Sequence, residues 1–125
     1  MATATLGPVL VIDDHPINRL LLEQVLELED LEVMGVGSIA EAEAVLAETI
    51  PPVIVLDLQL PDGHGLDLAR RLKADPHTAD CAIVACTAGR APGDEQRARD
   101  AGCARFVTKP IDTRSFGRLV SDLLS

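Results

Sequence analysis

Val53-Ile54-Val55-Leu56-Asp57 sets four unbroken apolar side chains directly before a carboxylate. A strand buried on both faces reads this way, with its polar residue at the carboxyl end. Two more runs share the form. Val9-Leu10-Val11-Ile12 closes on Asp13-Asp14, and Ala82-Ile83-Val84-Ala85-Cys86 closes on Thr87. Residues 31–36 and 104–108 mix apolar and polar side chains, as strands at the edge of a sheet do.

Helical patterns separate these runs. Pro16 suits a first helical turn, and Ile17, Leu20, Leu21, Val25 and Leu28 follow at helical spacing. On this reading they face the core, with Arg19, Glu23, Gln24 and Glu27 outward. Ser38 and Glu41 form a capping-box pattern ahead of Ile39, Ala42, Val45 and Leu46. Leu66, Ala69 and Leu72 mark a third helix after the turn sequence Pro61-Asp62-Gly63, and Asp75-Pro76 closes it. Residues 94–100 are mostly charged, so Ala98 and Ala101 anchor only a weak fourth helix, stopped by Gly102. Phe116, Leu119, Val120 and Leu123 give the last helix a clean stripe.

The alternation is (βα)₅ and predicts an α/β fold: a doubly wound, parallel five-stranded sheet covered by helices on both faces. The three apolar strands belong in the middle and the mixed ones at the edges. The flavodoxin-like order 2-1-3-4-5 satisfies this. Residues 1–125 read as one domain, without repeat, linker or low-complexity tract.

Composition excludes several classes. The net charge of −9 opposes a nucleic-acid footprint, and with no Tyr or Trp there are no platforms for stacking bases. No run of about 18 apolar residues is present to span a membrane. The first seven residues lack the charged and apolar regions of a secretory signal, so a cytoplasmic location is expected. Cys81, Cys86 and Cys103 match no zinc spacing and read as free thiols.

In such a sheet, ligands bind beyond the carboxyl ends of the strands. Asp13, Asp14, Asp57, Thr87 and Lys109 all fall there. Three carboxylates at one rim repel unless a cation intervenes. A hard divalent ion such as Mg²⁺ takes one or two carboxylates plus waters. Lys109 and Thr87 suit the oxygens of a transferring phosphoryl group, and Asp57 is the natural nucleophile. Each residue alone has a plainer reading as a cap, a turn or an exposed side chain. Their convergence at four strand ends does not.

Taken together, Val11-Ile12-Asp13-Asp14, Val55-Leu56-Asp57-Leu58-Gln59-Leu60-Pro61-Asp62-Gly63, Thr87-Ala88 and Lys109-Pro110 resemble the receiver domain of two-component response regulators, over nearly the whole chain. The resemblance implies that Asp57 accepts a phosphoryl group from a sensor histidine kinase or histidine phosphotransfer protein. It implies that Asp13 and Asp14 hold Mg²⁺, that the backbone carbonyl of Gln59 completes the metal site, and that Lys109, before a cis Pro110, binds the phosphoryl group. Thr87 and Phe106 take the places of the switch hydroxyl and the switch aromatic. The Phe106 position equally suits a plain edge-strand core residue. A readout surface is expected on the fourth helix, last strand and last helix. Such a domain is a switch rather than an enzyme, a monomer or a weak phosphorylation-dependent dimer.

Gly89 stands where many relatives carry a larger residue, which bears on how long the phosphorylated state lasts. Ala91-Pro92-Gly93 makes the entry to the fourth helix irregular. The segment 93–97 resembles single-domain regulators of the DivK type. A receiver excised from a diguanylate cyclase or a hybrid kinase is the other subtype, and beginning at Met1 weighs against an internal hybrid-kinase fragment. Readings from other classes are a Mg²⁺-dependent phosphohydrolase, a phosphorylation-independent adaptor and a flavin module. The last lacks aromatic flanks for its ring. His15, His64 and His77 read as solvated loop residues, the first two at the rim of the site.

Overall fold

A computed structural model describes residues 8–88 and 93–124. Gly89, Ala91 and Pro92 lie outside the described residues. In chain order the elements are β1 (Val9–Ile12), α1 (Pro16–Glu27), β2 (Val33–Val36), α2 (Ile39–Leu46), β3 (Val53–Asp57), β4 (Gln59–Leu60), β5 (Gly63–His64), α3 (Gly65–Ala74), β6 (Ala82–Thr87), α4 (Asp94–Asp100), β7 (Arg105–Thr108) and α5 (Thr113–Leu123). The main sheet runs β2-β1-β3-β6-β7, all parallel, as the apolar and mixed strands foretold.

The sheet divides the core in two. Leu10, Ile12, Ile54, Leu56, Ile83 and Ala85 face α2, α3 and α4. Val9, Val11, Val53, Val55, Val84 and Cys86 face α1 and α5. Period-2 alternation within fully buried strands supplies both faces. The stripes of α3 and α5 pack as expected. Ile39 and Ala42 of α2 are buried, and Val45 and Leu46 are half-buried. Ala98 and Ala101 anchor α4, and Gly102 ends it with φ +95°.

Helix α1 corrects the sequence reading. Leu22, Val25 and Leu26 form its buried face, whereas Ile17 is 85% and Leu28 84% exposed, and Leu20 and Leu21 are also exposed. Apolar residues make up half of this helix, so periodicity admits two stripes. Polar contacts of Asn18 and Arg19 with Asp13 select the stripe that is used.

The turn after β3 is also more built than expected. β4 and β5 pair antiparallel around Pro61-Asp62. Asp62 then accepts hydrogen bonds from the N–H groups of Ile39 (2.9 Å) and Ala40 (3.0 Å), capping α2 from 22 and 23 residues away. These two bonds hold its carboxyl below its ordinary pKa. Ser38 Oγ accepts from Glu41 N–H as the capping box requires, but Glu41 Oε1 accepts from Gly37 N–H (2.7 Å) rather than from the cap residue.

Gly65 opens α3 where a Cβ would lie 2.6 Å from the Asp57 carbonyl oxygen and 2.9 Å from Leu58 Cα. Only glycine lets the helix approach the carboxyl end of β3 this closely.

Candidate functional site

Strand ends gather the residues that the sequence singled out. Asp13 and Asp14 follow β1, Asp57 ends β3, Thr87 ends β6 and Lys109 follows β7. Asp13 is 2% exposed and Asp57 5% exposed. Lys109 Nζ donates to Asp57 Oδ2 (3.1 Å) and to Asp13 Oδ2 (3.3 Å). Gln59 N–H donates to Asp57 Oδ1 (3.1 Å), and His15 N–H donates to Asp13 Oδ1 (2.9 Å). The buried carboxylates are thus held by one ammonium, by backbone donors and, at Asp13, by the Asn18 amide, as buried charge requires.

The Lys109 pKa reflects two opposed effects. Burial would lower it, but the charges and hydrogen bonds of Asp57 and Asp13 outweigh burial and raise it above its ordinary value. The ammonium stays charged throughout the neutral range. Cys86 pairs in register with Asp57 across β3 and β6. Its thiol is pushed up to about 12 chiefly by burial; Lys109 opposes the shift, and Asp57 and Asp13 add to it. It is inert at neutral pH. All three cysteines are free thiols, as expected.

Thr87 is buried, and its backbone carbonyl accepts from Lys109 N–H (2.8 Å), tying the loop after β7 to the end of β6. The Lys109-Pro110 bond is cis. Phe106 is half-buried in β7 and packs on the α2–α4 side of the core. It also lines a groove of about 710 Å³ with Gly93, Glu95, Gln96, Arg99 and Thr108. Its packing matches the reading of Phe106 as an edge-strand core residue.

Two contributors were not read from the sequence. Asn18 Nδ2 donates to Asp13 Oδ2, and an Arg19 guanidinium nitrogen donates to the Asp13 backbone carbonyl (2.8 Å). They stand in the first turn of α1, five and six residues beyond Asp13. Their signal was two polar residues inside an apolar stretch; periodicity alone assigned Arg19 outward and gave Asn18 no place. Of the histidines, His15 joins the site, whereas His64 Nδ1 caps α3 by accepting from Leu66 N–H and His77 is exposed.

Asp13, Asp14, His15 and Asp57 each bring one ligand atom into a group spanning no more than 4.8 Å. Asp14 Oδ1 is buried and accepts no hydrogen bond. An orphaned carboxylate oxygen beside two further carboxylates is the donor set a divalent cation satisfies. These residues can hold a metal ion.

Comparison with known proteins agrees with this arrangement. Residues 9–121 match the response regulator receiver domain family. The chain is 31% identical over 116 residues to the polar-differentiation response regulator DivK of Brucella ovis, covering 93% of this chain and 94% of that one. The signal receiver domain of a signal transduction histidine kinase from Syntrophus aciditrophicus superposes with a TM-score of 0.86 at 29% identity, covering 94% of this chain and 89% of that one. A putative response regulator from Chloroflexus aurantiacus superposes at 0.87 and 26% identity, covering 94% and 98%. The chain belongs to the response regulator receiver domain family. It is a phosphoacceptor domain of a two-component signalling system, and such domains act as switches. Among the described residues no helix is long and apolar enough to cross a membrane.

Proposed function

We propose that Asp57 takes a phosphoryl group from a phosphohistidine on a sensor histidine kinase or a histidine phosphotransfer protein. An Asp57 carboxylate oxygen attacks phosphorus, the phosphorus–nitrogen bond breaks, and histidine leaves with the bonding pair. The observation that carries this reading is the near-buried Asp57 carboxylate, bonded to Lys109 and Gln59 N–H beside two further acids. Mg²⁺ would be held by Asp13, Asp14, Asp57 and the Gln59 carbonyl, and bound there it supplies positive charge to the phosphoryl oxygens. Lys109 neutralises charge on the transferred group, and Thr87 offers it a hydroxyl.

Once Asp57 is modified, Thr87 moves toward the new oxygens and its loop moves with it. Phe106 turns inward, and the surface of α4, β7 and α5 changes for a protein partner. Residues 1–125 act as one cytoplasmic receiver domain, monomeric or weakly dimeric when phosphorylated. The net charge of −9 disfavours direct nucleic-acid contact.

Intact mass spectrometry after incubation with acetyl phosphate and Mg²⁺ tests the assignment. One phosphoryl group per chain is expected on the wild type and none on Asp57→Asn. Labelling that persists in the variant refutes it. Steady release of phosphate from a small ester would favour a phosphohydrolase, and partner binding unchanged by Asp57→Asn an adaptor.

A further inference from the structure

His15 is 74% exposed as a side chain, yet its ring turns toward the rim. Nδ1 lies 3.3 Å from Asp14 Oδ1 and 3.8 Å from Asp13 Oδ1. Neither approach completes a hydrogen bond: Asp14 Oδ1 accepts none, and 3.8 Å to Asp13 Oδ1 is too long for one. The ring caps nothing either: His15 stands at the N-cap of α1 without any side-chain cap bond. An octahedral ion with bonds of about 2.1 Å sets neighbouring donors about 3 Å apart and opposite ones about 4.2 Å apart. Both His15 separations fall inside that range, so the imidazole stands where a donor to the same ion would stand.

We infer that His15 adds a nitrogen ligand to the divalent-cation site and shifts its preference from Mg²⁺ toward borderline first-row ions, with Ni²⁺ the diagnostic case. The inference rests on the metal site proposed above. Its chemistry is that of donor type. Oxygen donors alone suit Mg²⁺, which retains water and gains little from imidazole, whereas a mixed nitrogen–oxygen set suits ions further along the Irving–Williams order. The cysteines offer no rival site at neutral pH. Burial raises all three thiols, Cys86 to about 12 and Cys103 to about 11.

Isothermal titration with Ni²⁺ and with Mg²⁺, in the full chain, tests this. In His15→Ala and His15→Asn, Ni²⁺ affinity should fall about tenfold or more, the usual cost of losing a ligand or its support, while Mg²⁺ affinity stays within about twofold. Asn at this position is a favourable helix cap, so loss of Ni²⁺ in that variant does not arise from misfolding. Asp14→Asn should weaken both ions. Ni²⁺ affinity unchanged in both His15 variants, or an equal loss for both ions, overturns the inference and leaves the Mg²⁺ reading intact. Ni²⁺ binding that survives Asp14→Asn places the ion on other histidines and also overturns it. Wild-type protein that binds no Mg²⁺ overturns the metal site itself.

Discussion

Gly65→Ala tests whether the acceptor carboxylate is positioned by the close approach of α3 to β3. The added Cβ would lie 2.6 Å from the Asp57 carbonyl oxygen, 2.9 Å from Leu58 Cα and 3.2 Å from Leu56 Cγ. The first two neighbours are backbone, so no side chain can swing aside. Restoring a separation between 3.0 and 3.4 Å requires a displacement of 3.0 − 2.6 = 0.4 Å to 3.4 − 2.6 = 0.8 Å. The Gly65 N–H bond to Leu58 O (2.8 Å) resists that displacement. Overpacking of this kind costs about 1–3 kcal/mol. For a chain of this size each kcal/mol lowers Tm by about 3–6 °C. The same shift moves Asp57 relative to Lys109. Misplacement of about 1 Å costs about a hundredfold in rate, so labelling by acetyl phosphate should slow about tenfold. Circular dichroism melting reads the first effect and time-resolved intact mass the second. A variant that melts within about 1 °C of wild type and labels at the wild-type rate would refute the reasoning.

Three further outcomes follow from other elements. Leu22→Ala should cost about 2–5 kcal/mol in urea unfolding, against less than about 0.5 kcal/mol for the exposed Leu20→Ala, and equal losses would contradict the orientation of α1. The Asp62 carboxyl should titrate below 3.8 by carbon-detected NMR, because its two backbone bonds favour the charged form. Its lowered pKa makes its contribution present above the unfolded value and lost as pH falls through the folded one; a midpoint at or above 3.8 opposes the long-range cap. The thiols should resist a disulfide reagent at pH 8 until the protein is unfolded, since burial raises Cys86 to about 12 and Cys103 to about 11. Raised pKa values place their contribution below pH 9.0, and it disappears as pH climbs from there toward the folded values. Rapid labelling of native Cys86 would contradict that burial.

The strand order was legible because three apolar runs each ended in a polar residue, and burial on both faces leaves them only the middle of a sheet. The site was legible for the same reason, since strand ends in a parallel sheet converge. Periodicity failed on α1, where apolar residues cover more than one face and the deciding contacts are polar. It failed also at β4 and β5, whose two-residue strands carry no period. The Asp62 cap joins residues 22 and 23 apart, beyond any local pattern. His15 looked like a solvated loop residue, which its exposure bears out. Its approach to Asp14 depends on how the chain turns after β1.

Lys109 meets Asp57 across 52 residues of sequence and Asp13 across 96. It follows β7, the outermost strand on its side of the sheet, which pairs with β6 alone. Fraying of that edge withdraws the only cation hydrogen-bonded to two nearly buried carboxylates and leaves them uncompensated among the described residues. The rim therefore polices folding as well as chemistry. A chain whose last strand has not docked lacks a competent acceptor, and a chain with its acceptor assembled resists opening from its most vulnerable side.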